Sequence, residues 1–102
     1  PLTLYATCTA DTTNTSMVVF LKTSVDNTFV DGPDATTLQA GDLHTVLLLD
    51  SSSSSVYGDQ PLGAFVPDGS FSVDSGSNIS GVINGPTGHN CVIAGHLLND
   101  AG

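Results

Sequence analysis

The sequence predicts an all-β fold, either an antiparallel β-sandwich or a closed barrel of about 7–9 short strands. All of the acidic residues are Asp, Glu and Arg are absent, and Lys22 is the only Lys, so the charged helix formers are nearly missing. Thr, Ser, Val, Gly and Asp are abundant instead. This composition favours strands joined by turns, because β-branched residues suit a pleated surface and Asp, Ser and Gly suit turns.

The individual strands are predicted from their patterns. Residues 2–10 alternate between apolar and polar side chains and place Cys8 on the buried face. Residues 17–21 form a continuous apolar run typical of a central strand, and the polar residues 11–16 join the two strands as a hairpin. Further strands are predicted around Phe29 and over residues 36–39, 43–50, 63–66, 70–74, 79–83 and 90–98.

Two stretches are predicted to lie outside strands. The five consecutive serines from Ser51 to Ser55, together with Gly58-Asp-Gln-Pro61, predict an exposed, adaptable loop over residues 51–61. This loop is longer than the usual hairpin connection. Residues 75–78, which read Ser-Gly-Ser-Asn, predict a turn.

The two cysteines predict one disulfide between the first and last strands. Cys8 lies on the apolar face of the first strand, and Cys91 shares one face of the last strand with Ile93 and Leu97. A Cys8–Cys91 bridge closes a loop of about 84 residues, for which the chain-entropy model gives on the order of 4–5 kcal/mol. A structural disulfide is typical of an oxidising compartment.

We therefore expect residues 1–102 to form a single secreted domain. The chain begins with Pro1 rather than Met, which we interpret as a processed form, and no apolar run reaches the ~18 residues of a membrane span. The triplets Asn14-Thr-Ser16 and Asn78-Ile-Ser80 are N-glycosylation acceptor patterns.

The net charge of the chain argues against two classes of partner, nucleic acids and anionic membranes. A net charge of −9 with a single Lys leaves no basic patch for a nucleic-acid backbone or an anionic membrane. We expect the partner to be a carbohydrate or a secreted protein, with no nucleic acid bound and no membrane insertion. The oligomeric state stays open.

No cofactor is predicted, although Ca²⁺ has weak candidates in Asp26, Asp31 and Asp34, which cluster within nine residues. The stretch from Asp11 to Ser16 resembles the calcium motif of βγ-crystallins, but Thr12 stands where that motif has a ligand. The spacing of Cys91 and His96 is similar to the ligand loop of blue-copper proteins. No Met follows shortly after His96, and Cys91 is assigned to the disulfide.

The leading functional hypothesis is a non-enzymatic, lectin-like protein that binds a glycan. The chain has no Gly-x-Ser-x-Gly nucleophile elbow. Tyr5, Tyr57 and Phe65 are candidate stacking platforms, and the ligand-binding residues are predicted to be Tyr5, Tyr57, Asp59, His89 and Asn90. One alternative is a small inhibitor of hydrolases that presents the 51–61 loop. Another is a surface protein that assembles with copies of itself.

Overall fold

The computed structural model describes residues 1–11, 13–52, 54–69, 72–84 and 90–96, without the side chains of Asp74 and Ser75. These ranges contain eight strands and no helix. The strands are β1 (Leu2–Ala10), β2 (Thr15–Thr23), β3 (Thr28–Asp31), β4 (Ala35–Leu38), β5 (Leu43–Ser51), β6 (Ser55–Phe65), β7 (Ser72–Asn84) and β8 (Cys91–His96). The prediction of an all-β fold is confirmed. None of the described residues belongs to a helix that could cross a membrane.

The strands form two antiparallel sheets packed as a sandwich. One sheet has the order β1-β2-β5, and the other has the order β4-β3-β6-β7-β8. The predicted β1–β2 hairpin is confirmed, with Leu2 opposite Thr23 and Ala10 opposite Thr15. The Asp11 carboxylate holds its turn, because it accepts hydrogen bonds from the backbone N–H groups of Thr13 and Asn14, each at 2.7 Å.

The core consists of alternate side chains from both sheets, as the strand periodicity requires. The buried apolar residues of the three-stranded sheet are Met17, Val19, Leu21, Val46, Leu47 and Leu49. Those of the five-stranded sheet are Val30, Leu38, Leu62, Ala64, Ile79 and Ile83.

A pair of glycines makes room in the five-stranded sheet for the core. Gly58 of β6 lies directly opposite Gly81 of β7. A Cβ atom on Gly81 would lie 2.2 Å from Cε of Met17, and one on Gly58 would lie 2.6 Å from Cδ2 of Leu49. The two glycines therefore form a notch in the sheet that receives side chains from the opposite sheet.

The chain passes from one sheet to the other between β2 and β3 through a hydrogen-bonded connection whose two end residues are buried. Thr23 and Thr28, at the two ends of this connection, are both buried, and their hydroxyl oxygens lie 2.8 Å apart. Val25 lies between them, and its N–H donates to Oγ1 of Thr23 at 3.0 Å. The Thr28 hydroxyl donates to the Val25 carbonyl oxygen at 2.7 Å. The polar groups of the crossing are thus satisfied inside the protein.

The Cys8–Cys91 disulfide is confirmed and joins the two sheets at one margin. It links β1, the outer strand of the three-stranded sheet, to β8, the outer strand of the five-stranded sheet. Cys8 lies on the same face of β1 as Leu2 and Leu4, which pack against the core, but the expected burial of Cys8 itself is not found, since its side chain is exposed. The cause is the position of β1 at the edge of its sheet, because small side chains there have few neighbours to cover them.

The predictions of a loop over residues 51–61 and of a turn over residues 75–78 are wrong. The predicted loop at residues 51–61 is mostly strand, because β5 extends to Ser51 and β6 begins at Ser55. The predicted turn at residues 75–78 lies inside the long strand β7. Both stretches belong to the β6–β7 pair, where Ser55 lies opposite Asn84 and Pro61 opposite Asn78. Tertiary pairing therefore overrides the local turn preference of Ser, Gly and Asn.

Candidate functional site

The outer surface of strands β6, β7 and β8 carries the largest share of the predicted site. Side chains that alternate outward along these strands line up in rows across the sheet. One row joins Tyr57, Val82 and Val92, and the next joins Asp59, Ser80 and Ala94. A third row joins Pro61, Asn78 and His96. We call the surface formed by these three rows the β6–β8 face.

Asp59 is the polar centre of the β6–β8 face. Its Oδ1 accepts hydrogen bonds from Nδ2 of Asn78 at 2.8 Å and from Oγ of Ser80 at 3.0 Å. Its Oδ2 has no hydrogen bond within the part of the chain that the structure describes. The carboxylate is thus held in a fixed orientation, with one oxygen left to accept a hydrogen bond from a ligand.

A shallow depression lies beside this carboxylate. It has a volume of about 170 Å³ and is lined by Asn78, Ser80, Ala94, Gly95 and His96. His96 is exposed at the margin of β8, opposite Asn78. The depression is therefore bordered by an amide, a hydroxyl and an imidazole, each able to hydrogen-bond to a ligand.

Tyr57 supplies an exposed aromatic ring next to the carboxylate. It lies two residues before Asp59 on the same side of β6, which corresponds to a separation of about 6.6 Å along the strand. Its side chain is 65% exposed, and Val92 in the same row is 58% exposed. The row from Tyr57 to Val92 thus forms an apolar strip that borders the polar centre.

Asn90 extends the β6–β8 face beyond the apolar strip. The N–H of Asn84 donates to the Asn90 carbonyl oxygen at 3.0 Å, and the two side-chain amides are also hydrogen-bonded to each other. The Ser55 hydroxyl donates to the Asn84 side chain at 2.7 Å. The apolar strip is therefore flanked on both sides by polar groups, the Asp59 cluster on one side and the Asn84–Asn90 pair on the other.

Of the five predicted binding residues, the fold brings Tyr57, Asp59 and Asn90 to this one face. Tyr5 lies on the outside of the other sheet, where its ring packs on Phe20 with a centroid separation of 5.6 Å. It lines a depression of about 810 Å³ with Thr3 and Lys22. That depression offers hydroxyl groups and the Lys22 ammonium but has no carboxylate or side-chain amide among its lining residues. His89 lies outside the described residues.

The three Ca²⁺ candidates are not gathered at one point. Asp26 precedes β3, where its Oδ1 accepts a hydrogen bond from the Ala40 N–H at 2.9 Å, whereas Asp31 and Asp34 lie at the other end of β3. No three His, Cys, Asp or Glu side chains of the described ranges approach closely enough to hold a metal ion. Thr12 of the Asp11–Ser16 motif is outside those ranges.

The cysteine of the copper-type spacing serves another purpose, and His96 is exposed at the end of β8, while the upstream His44 is hydrogen-bonded elsewhere. Cys91 forms the disulfide, so it has no thiolate to offer a metal. His44 lies on β5, and its Nε2 donates to the carbonyl oxygen of Gly32 at 2.9 Å. This histidine therefore ties the three-stranded sheet to the segment after β3.

Sequence reasoning missed Asn78 and Ser80 as site residues. In the sequence they are recognisable only as parts of a glycosylation triplet, and Asn78 lies in the predicted turn. Their spacing of two residues carried a usable signal, because side chains at i and i+2 of a strand share a face. Their position opposite Asp59 depends on the β6–β7 register, which is a long-range property.

No family model, curated protein or solved structure matches the chain. The chemistry of the β6–β8 face therefore guides the assignment of a ligand. An apolar strip with an exposed ring can pack against a nonpolar ligand surface, and the oriented carboxylate and amides on either side can bond to hydroxyl groups.

Proposed function

We propose that this protein binds carbohydrate on the β6–β8 face and does not transform it. The observation that carries the proposal is the placement of Tyr57 beside an Asp59 carboxylate that is oriented by Asn78 and Ser80. A pyranose ring has an apolar C–H surface that packs on an aromatic face, and hydroxyl groups around its rim. The face offers both kinds of contact at about the spacing of one sugar ring.

The charge of the protein favours neutral glycans. Asp59 is the only carboxylate within the three rows of the face, no Lys or Arg lies in them, and the whole chain carries a net charge of −9. Sialylated or sulfated sugars would be repelled by this field. We therefore expect neutral hexoses or their oligomers to be the preferred ligands.

The open shape of the face favours extended glycans over free monosaccharides. The depression beside Asp59 holds only about 170 Å³, so one sugar unit would remain partly exposed to solvent. An oligosaccharide lying along the face would contact both the Asp59 cluster and the Asn84–Asn90 pair. Affinity should therefore rise with the number of sugar units.

The experiment is a screen of the folded protein on an array of neutral glycans, followed by calorimetric titration of the best ligand. Asp59→Asn retains an Oδ1 acceptor for Asn78 and Ser80 but replaces the free oxygen with an N–H donor. We expect this variant to bind about tenfold or more weakly, because a hydrogen bond to a charged group is worth about 1.5–3 kcal/mol. Tyr57→Ala should weaken binding to a similar extent.

Tyr5→Ala is the matched control, since it removes an exposed tyrosine from the opposite sheet. It should leave glycan affinity unchanged. A folded protein that binds no glycan on the array would refute the proposal, as would a loss of affinity in Tyr5→Ala equal to that in Tyr57→Ala.

Secretion is part of the same proposal. The Cys8–Cys91 disulfide supports it, because such bonds persist in oxidising compartments. The inhibitor alternative has less support than the glycan proposal, since the residues expected to protrude as a loop lie mostly in β6.

Self-assembly is favoured by one observation, the exposed Leu43 and Leu48 on the outside of the three-stranded sheet, at 55% and 61% exposure. Sedimentation velocity over a range of protein concentrations would test this second candidate. A sedimentation coefficient that does not change with concentration would exclude it.

A further inference from the structure

A second concave site of different composition lies where β3 pairs with β6. Phe29 is directly opposite Phe65, with ring centroids 5.1 Å apart and planes inclined by 31°. Asp31 is directly opposite Gly63, which has no side chain to fill the space beside the carboxylate. Phe29, Asp31, Gly63 and Phe65 line a depression of about 340 Å³. We call it the Phe29–Phe65 pocket.

The chemistry of this pocket suits a cation. The faces of aromatic rings carry partial negative charge and attract cations within about 6 Å of the ring centroid. The exposed Asp31 follows Phe29 by two residues, which places them about 6.6 Å apart along the strand. The Asp31 carboxylate has no side-chain hydrogen bond or ion pair to another described residue. One cationic group can therefore reach a ring face and a free carboxylate at once.

The Phe29–Phe65 pocket and the β6–β8 face differ in the hydrogen-bonding groups around their carboxylates, so they suit different ligands. The Asp59 carboxylate is surrounded by an amide and hydroxyls, which can exchange hydrogen bonds with a sugar. In the Phe29–Phe65 pocket, Ser72 is the one lining side chain besides Asp31 that can form a hydrogen bond, and the two phenyl rings offer no donor or acceptor. A polyhydroxylated ligand would leave most of its hydroxyls unsatisfied there, whereas a cation needs only the charge and the ring faces.

We propose that the Phe29–Phe65 pocket binds the guanidinium group of an arginine side chain from a basic partner protein. Guanidinium is planar, so it can stack on a phenyl ring while its N–H groups point to a carboxylate. Phe65 is 50% exposed, so the pocket is open to a side chain presented from another surface. The net charge of −9 attracts a basic partner over a longer range.

The test uses two short peptides that differ at one position. One carries arginine between glycines, and the other carries citrulline, which has nearly the same shape without the charge. Each is titrated into the ¹⁵N-labelled protein at low ionic strength, and amide shifts of Gly63 and Ala64 are followed. We expect saturable shifts with the arginine peptide and at least about fivefold weaker binding of the citrulline peptide.

Three variants locate the interaction. Asp31→Asn should weaken arginine-peptide binding about three- to fivefold, the size of an exposed ion pair. Phe65→Leu keeps an apolar side chain but removes the ring face, and should weaken binding by a similar factor. Asp34→Asn changes the total charge by the same amount at a residue that does not line the pocket, and it should weaken binding clearly less than Asp31→Asn, because the Asp34 carboxylate would not contact the guanidinium group.

The proposal would be overturned by equal binding of the arginine and citrulline peptides. It would also be overturned if Asp34→Asn weakened binding as much as Asp31→Asn, since the effect would then come from overall charge. Shifts of Gly63 and Ala64 caused by a neutral glycan but not by the arginine peptide would assign the pocket to a different ligand. These outcomes are independent of the glycan screen, which concerns other side chains.

Discussion

Gly32 lies where the segment after β3 comes closest to the backbone of β6. Its φ angle is 132°, a conformation that residues with a Cβ atom rarely adopt. A Cβ atom at this position would lie 2.3 Å from the carbonyl oxygen of Pro61. The neighbour is backbone, so it cannot rotate away as the end of a long side chain could. The absence of a side chain at Gly32 therefore sets the approach of two segments that carry parts of both proposed sites.

We predict that Gly32→Ala lowers the free energy of unfolding by about 3 kcal/mol or more, because backbone strain and overpacking each cost about 1–3 kcal/mol. Gly41→Ala is the matched control, since Gly41 also has a positive φ of 90° but no atom within 4 Å of its hypothetical Cβ. Gly41→Ala should lower the free energy of unfolding by about 1–2 kcal/mol. Urea denaturation of both variants measures the difference. Equal losses would show that steric contact with β6 is unimportant.

Strands β6 and β7 form the element that positions the β6–β8 face. They pair from Ser55 opposite Asn84 to Phe65 opposite Ser72, with one irregularity between Leu62 and Ala64. The inward side of this pair contains the notch of Gly58 and Gly81, and the outward side carries Tyr57, Asp59 and their partners. Because inward and outward side chains alternate, packing of the notch against the core also determines which side chains of β6 and β7 face outward.

We predict that Gly81→Val destabilises the protein by about 1–3 kcal/mol, the usual range for overpacking a core. The added side chain would displace the end of Met17, whose Cε lies 2.2 Å from the hypothetical Cβ. Met17→Ala alone should also destabilise the protein, by about 2–5 kcal/mol. The measurement is a double-mutant cycle by thermal or urea denaturation.

The double variant should lose less unfolding free energy than the two single variants together, by about 1 kcal/mol or more. Each change compensates the volume altered by the other. Strict additivity would show that Gly81 and Met17 do not share the notch.

The molecule as a whole is two sheets joined at one margin by the Cys8–Cys91 disulfide. The bridge spans 83 positions of sequence, so it restricts nearly the whole described chain in the unfolded state. A chain of 102 residues has a modest core, so we expect a disulfide that closes a long loop to supply a large share of its net stability.

We predict that the double variant Cys8→Ser and Cys91→Ser loses about 3–5 kcal/mol of unfolding free energy. The measurement is urea denaturation of both proteins with and without a thiol reductant. The reductant should destabilise the original protein by a similar amount and leave the double variant unchanged. A reduced protein that is as stable as the oxidised one would contradict the entropic contribution of the bridge.

Local patterns in the sequence were sufficient for the strand class, the first hairpin and the disulfide. The alternation over residues 2–10 and the apolar run over residues 17–21 each carry their information within one strand. The disulfide followed from having two cysteines on strands at opposite ends of the chain. For the site, the sequence suggested Tyr57 and Asp59 as exposed polar and aromatic groups, but in a loop.

The sequence by itself determined that this chain forms a disulfide-closed β domain, because period-two patterning and composition act locally. Only the tertiary structure decided that residues 55–61 and 75–78 are strands, since Ser, Gly and Asn favour turns until a partner strand satisfies their backbone hydrogen bonds. It also decided the partners of Asp59, which donate from 19 and 21 residues away. The tertiary structure also decided that Phe29 lies opposite Phe65. Register between distant strands depends on how the two sheets pack, and no local pattern contains it.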